Sequence, residues 1–127
     1  MYDQELVREI LLQVLEATRR IARRFAPISS PADFLRSEAG LEKLDAICML
    51  LVAIGESIKR LDKITQGMLL SRYPQVEWKK VIGMRDVLSH HYFDLNAEAV
   101  YTVCAYHIGV LEQTIEQMLA DLAGESG

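Results

Sequence analysis

Leu44-Asp45-Ala46-Ile47-Cys48-Met49-Leu50-Leu51-Val52-Ala53-Ile54-Gly55-Glu56-Ser57-Ile58-Lys59-Arg60-Leu61 decides the fold class. Leu44, Ile47, Cys48, Leu51, Ile54, Ile58 and Leu61 fall at the three- and four-residue steps that stack side chains on one face of an α-helix. The pattern predicts one long helix from about Ser37 to Ile64. Met49, Leu50, Val52 and Ala53 add apolar surface away from that stripe. Such a helix is either the central helix of a bundle or half-buried against another chain.

The flanks carry the same period. Upstream, Leu6, Val7, Ile10, Leu11, Val14, Leu15, Ile21, Ala22 and Phe25 form a second stripe, and Pro27 ends it. Ser30 before Pro31, with Asp33 three residues on from the serine, starts a short element running to about Arg36. Downstream, Gly67, Pro74 and Gly83 interrupt the chain, which predicts a short helix, a turn and a further helix between Thr65 and Asn96. Asn96 is a favourable cap for a final helix, with Glu98 in its positive first turn. Val100, Cys104, His107, Ile108, Leu111, Ile115, Met118, Leu119 and Leu122 are its core stripe. No strand alternation or internal repeat stands out. The expectation is all-α: an antiparallel bundle of four to five helices forming a single domain over residues 1–123, with 124–127 a frayed tail.

A chain of 127 residues buries about two-thirds of the surface its unfolded form exposes. Met1 to Glu5 carries acids where a secretory signal carries positive charge, and the nearly apolar run Ala46 to Gly55 is far shorter than the ~20 residues that span a bilayer. Cys48 and Cys104 sit in helical apolar patterns, as small buried hydrophobes do. A reduced, cytoplasmic protein with no membrane contact and no disulfide is expected. Three histidines and two cysteines lack paired metal-ligand spacing, so neither a metal nor another cofactor is expected. Without a glycine-rich phosphate loop, nucleotide hydrolysis has no support.

Net charge is −4, but it is unevenly spread. All 14 lysines and arginines lie at or before Arg85 with 11 of the 18 acids, leaving that part at +3; the remainder holds seven acids and neither Lys nor Arg, or −7. A phosphate-binding patch would draw on Arg85 with Lys59, Arg60, Lys63, Lys79 and Lys80. Arg19, Arg20, Arg23 and Arg24 form another basic cluster, better explained as a solvated face or a favourable end to the first helix.

Residue types suited to chemistry concentrate in Arg85-Asp86-Val87-Leu88-Ser89-His90-His91-Tyr92. A guanidinium matches phosphate oxygens and stabilises the added charge of a pentacoordinate phosphorus. An imidazole takes and gives protons near neutrality. Together they could cleave RNA without a metal, the imidazole deprotonating the 2′-hydroxyl that attacks phosphorus. Two proton transfers need two groups, and a symmetric dimer with both motifs on one cleft would supply the second imidazole. The plainer alternative is a surface cation and a helix-end histidine. Regular helical geometry puts Arg85 and His90 about 140° apart, and Asp86 and His90 on one face. Chemistry between the first pair needs the helix to end near His90, or the arginine to curl round. His91 should point elsewhere, and His107 reads as a satisfied core histidine. Glu56 and Arg60, spaced by four, suit an intra-helix pair at least as well as a catalytic role.

The spacing of Arg85, Asp86, His90 and Tyr92 resembles the signature of HEPN-domain proteins, specifically the HepT-like toxins. Ala53 to Leu61, Tyr73-Pro74 and Trp78 to Arg85 resemble the family's two upstream blocks, in order. The likeness runs from the first helix to about Leu122. It implies a homodimeric, metal-independent endoribonuclease, the toxin of a type VII-like toxin–antitoxin pair. Arg85 would hold phosphate, His90 transfer protons and Asp86 orient either one, with Lys59, Arg60, Lys79 and Lys80 along the RNA. It also implies that a partner minimal nucleotidyltransferase, the antitoxin, transfers AMP to Tyr92, setting charge and bulk beside Arg85 and His90. The alternative is a catalytically silent HEPN module that binds a nucleotidyltransferase or a nucleotide through the same surface.

Overall fold

Asp3 starts the first helix, its carboxylate accepting the Leu6 N–H at 3.1 Å. In the computed structural model, which describes residues 2–90 and 96–126, α1 runs Gln4–Phe25 and buries eight residues of the predicted face and its borders. Each large aliphatic side chain so buried contributes about 1.5–3 kcal/mol relative to leaving it in water. A 3-10 turn, Pro31–Phe34, leads into α2, Glu38–Ile64. Ser37 caps α2 through its hydroxyl, 3.0 Å from the Gly40 N–H. Gly40 sits against that 3-10 turn so closely that a Cβ would fall 2.1 Å from the Asp33 carbonyl oxygen.

Of the two expectations for α2, the central position holds: it packs on α1, α3, α4 and the first 3-10 turn. Ile47, Leu51, Ile54, Ile58 and Leu61 are essentially inaccessible to water. Leu50 and Val52 are half-buried, and Met49 stays 75% exposed. Gln66 and Gly67, at φ 54° and 76°, turn the chain back at the end of α2, and the Gly67 N–H bonds the Asp62 carbonyl at 2.9 Å.

A second 3-10 turn, Leu70–Arg72, and the Tyr73-Pro74 corner then reach α3, Trp78–His90. The corner is tied down in two places. Tyr73 donates its hydroxyl to Asp121 at 2.6 Å, and Arg72 pairs with Glu125 at 2.6 Å. The indole N–H of Trp78 closes the turn on the Tyr73 carbonyl at 2.9 Å.

Asn96 caps α4, Ala97–Tyr106, as its residue type predicts, accepting from Glu98 and Ala99. Tyr101 fixes α4 to the end of α1 with an edge-on ring contact to Phe25 and a hydrogen bond to the Ser29 carbonyl. α5, Ile108–Ser126, packs back along α1, where Arg19 bridges Glu112 and Glu116. Among the described residues the protein is thus an all-α bundle of five α-helices and two 3-10 turns, within the four to five helices expected. No helix among the described residues is long and apolar enough to cross a membrane.

Three local expectations need correction. The single final helix is two, broken at His107, whose φ of −119° leaves the helical range. His107 is exposed, because the break carries it out of the stripe. Gly83 does not interrupt the chain; it lies inside α3 on open surface, where glycine costs only backbone entropy. Cys48 and Cys104 are buried free thiols, as expected, and burial pushes them up to about 11 and about 12.

Candidate active site

α3 is fastened chiefly to α2. Only Leu88 of α3 is buried, with Trp78, Val81, Ile82 and Met84 half-buried. The two helices meet at Gly55, where a Cβ would stand 3.0 Å from both the Arg85 Cβ and the Val81 carbonyl oxygen. Arg85 therefore leaves α3 at the seam, directly against the α2 backbone. Its side chain runs out along the seam, ending 38% exposed, and meets two carboxylates. Nε pairs with Glu56 of α2, and Nη1 with Asp86 at 2.7 Å. Hydrogen bonding to Asp86 first, then the nearby charge of Glu56, raises the Arg85 pKa. In return Arg85 lowers that of Asp86, helped by the charges of Lys59 and His90.

His90 is the last residue of α3 and exposed. Its ring Nδ1 lies 3.0 Å from the Asp86 carbonyl oxygen. A carbonyl can only accept, so this contact requires a proton on Nδ1 and leaves the Nε2 lone pair of the neutral ring for another partner. Asp86 thus links both members of the motif, Arg85 through its carboxylate and His90 through its backbone. The Arg85 guanidinium reaches Glu56 and its neighbour Asp86, and His90 meets Asp86 at the backbone, so the two side chains share Asp86 rather than a direct contact. The helix itself stays regular to His90.

Other expected site residues divide between two sides of α3. Lys59, exposed on α2 one turn beyond Gly55, acts on Asp86, and so belongs to the Arg85 side. Arg60 and Lys79 are exposed. Lys80 pairs with Glu77 at 2.9 Å and faces an open groove of about 350 Å³ between α3 and the α4–α5 break, lined by Val81, Met84, Val103 and Leu111, with His107 at its edge. In the other basic cluster, Arg19 and Arg23 are engaged in ion pairs within the bundle, Arg23 with Glu16 at 3.3 Å. Tyr92 and His91 lie outside the described residues. Gly55 was missed as a site residue, and Glu56 was given the wrong partner: the sequence sets it against Arg60, but the fold turns it across to Arg85.

The chain as a whole has counterparts among known proteins. A family model described as ribonuclease HepT-like matches residues 4–118. The chain belongs to the HepT-like ribonuclease family. That match takes in α1 through most of α5, and with them Glu56, Arg85, Asp86 and His90. A protein of Methanocaldococcus jannaschii named "Putative RNase" is 30% identical over 119 residues, covering 94% of this chain and 92% of its own length. A second from that organism, with the same wording in its name, is 30% identical across 63% of each chain. One from Caldanaerobacter subterraneus, also so named, is 33% identical over 54% of this chain and 58% of its own. No solved structure matches. The HEPN-type, HepT-like resemblance drawn from Arg85 to Tyr92 and the upstream blocks is thereby established for the family and for the helical fold.

Proposed function

We propose that this HepT-like chain is a metal-independent endoribonuclease of the toxin type, with Arg85 on the phosphate and His90 in proton transfer. The observation that carries the proposal is the His90 ring, held through Nδ1 on the Asp86 carbonyl with Nε2 left as the basic nitrogen. Nε2 accepts the proton of an RNA 2′-hydroxyl. The 2′-oxygen then bonds to phosphorus, the bond from phosphorus to the 5′-oxygen breaks, and that oxygen takes a proton from a second imidazolium. The products are a 2′,3′-cyclic phosphate and a 5′-hydroxyl. Each chain brings one His90, so the acid and the base come from two copies facing one cleft. General acid–base help of this kind contributes roughly a hundred- to ten-thousand-fold in rate.

The test is cleavage of RNA by the purified chain. Activity that survives a chelator and falls by about a hundredfold or more in Arg85→Ala and in His90→Ala supports the assignment. Intact RNA with wild-type protein carrying unmodified Tyr92 removes it. Sedimentation at micromolar concentration tests the shared cleft, and an active monomer would refute it.

Regulation by a partner minimal nucleotidyltransferase belongs to the same proposal: AMP transferred to Tyr92 blocks phosphate at Arg85. Intact mass after co-expression with that enzyme decides, and wild-type protein with no adenylate added overturns this part. One observation favours the alternative, a silent module binding a nucleotidyltransferase or nucleotide. Arg85 is matched by two carboxylates, leaving that trio at a net −1. On that alternative, Arg85→Ala and His90→Ala leave RNA as intact as wild type does.

A further inference from the structure

Arg85 is gripped at both ends by consecutive residues of α2. At its base, Gly55 brings the α2 backbone against the Arg85 Cβ. At its tip, the neighbouring Glu56 takes Nε. Between those points lie the torsions that would otherwise let a half-exposed arginine sample many rotamers. A guanidinium has five N–H donors. Glu56 uses the one at Nε and Asp86 one at Nη1, so three remain, both Nη2 hydrogens among them.

We infer that Glu56 is a positioning residue for Arg85, fixing the guanidinium at Nε so that its Nη groups meet the phosphate of the RNA. The inference rests on the ribonuclease reading above and extends it to a residue of another helix. The two carboxylates differ in what they hold. Asp86 moves with Arg85 on α3 and takes Nη1, a nitrogen that phosphate would use. Glu56 comes from α2 and takes Nε, at the root of the guanidinium. Phosphate can replace Asp86 at Nη1 while Glu56 keeps its hold. Glu56 touches neither substrate nor reacting atoms; it acts through Arg85 alone.

A double-mutant cycle in the full chain tests this, using Glu56→Ala, Glu56→Gln, Arg85→Ala and the pair Glu56→Ala/Arg85→Ala. Glu56→Ala should lower kcat/KM for RNA by about 5- to 100-fold. Glu56→Gln should fall between it and wild type, because its amide oxygen still accepts from Nε–H. In the Arg85→Ala background, Glu56→Ala should change nothing further. Equal losses in both backgrounds, or a gain on removing the carboxylate, would overturn the inference.

A second arm needs no cleavage. The 15N signal of the Arg85 Nε–H, assigned by its loss in Arg85→Ala, should exchange faster with solvent in Glu56→Ala. A 2′-deoxy oligonucleotide, which cannot be cut, should bind that variant more weakly. If wild-type protein leaves RNA intact, the ribonuclease reading fails by itself and this arm judges Glu56. Unchanged exchange and unchanged binding then refute positioning, and faster exchange with weaker binding upholds it.

Discussion

Gly55→Ala is the sharpest probe of how the site is built. The added methyl would sit 3.0 Å from the Arg85 Cβ, 3.0 Å from the Val81 carbonyl oxygen and 3.3 Å from the Arg85 backbone nitrogen. Two of those neighbours are backbone atoms and the third is rigidly attached to it, so no flexible side chain can swing aside. α3 must move off α2 by a few tenths of an ångström, at an overpacking cost of about 1–3 kcal/mol. Replacing a helical glycine by alanine returns about 0.8–1 kcal/mol of propensity, so the net loss is roughly 0–2 kcal/mol.

Gly83→Ala isolates the two effects. It makes the same chemical change in α3, with nothing within 4 Å of the new methyl, and should stabilise by the propensity alone. The difference between the variants is then the overpacking itself. At about 4 °C per kcal/mol for a chain of this size, Gly55→Ala should melt roughly 4–12 °C below Gly83→Ala. Circular dichroism melts at one protein concentration measure it. A Gly55→Ala protein that melts as high as Gly83→Ala would refute the tight crossing. RNA cleavage should fall in Gly55→Ala and not in Gly83→Ala, since only the first displaces Arg85.

Two other predictions concern the fold's anchor and the proposed RNA surface. Tyr73→Phe should cost about 1–2 kcal/mol at neutral pH, the low end for a hydrogen bond to a charge, because Asp121 keeps the Gln117 amide at 2.7 Å. Burial, then the bond to Asp121, pushes the Tyr73 hydroxyl up to about 12 from an ordinary 10.0, and the same bond holds Asp121 below its ordinary 3.8. The wild-type advantage is therefore complete between about pH 4 and pH 10; it shrinks as Tyr73 ionises towards pH 12 and as Asp121 takes up a proton below pH 4. Urea melts of both proteins across that range check it, and a constant difference would refute the pairing. For Lys59→Ala, the slope of log affinity for single-stranded RNA against log salt should flatten by about 0.7, one phosphate contact. Fluorescence titrations at several salt concentrations would report an unchanged slope if Lys59 stands clear of the RNA.

The helical periods made α1 and α2 legible almost to the residue, because each buries one continuous stripe and meets a strong stop. The break at His107 escaped notice for a physical reason. Val103, His107 and Leu111 keep four-residue spacing through it, and backbone bonds from His107 to Val103 and from Leu111 to His107 persist on either side. Gly83 misled in the opposite direction: glycine breaks helices only where the rest of the fold permits, and α3 continues through it. In the candidate site, the grouping of Arg85, Asp86 and His90 was legible because they share one helix. Glu56 was not, since its partner is 29 residues away while Arg60 offered a nearer match. The approach at Gly55 leaves no mark in sequence beyond the glycine itself.

α3 is seated on α2 along one flank and borders the open groove on another, with Leu88 its single buried residue. A helix so mounted carries the three motif residues as a group. Arg85, Asp86 and His90 share one helix, so the His90–Asp86 contact lies within α3 while the contacts with Glu56 and Lys59 cross to α2. The aim of the arginine is therefore set by the α2–α3 seam, whereas the imidazole contact is set within α3 alone.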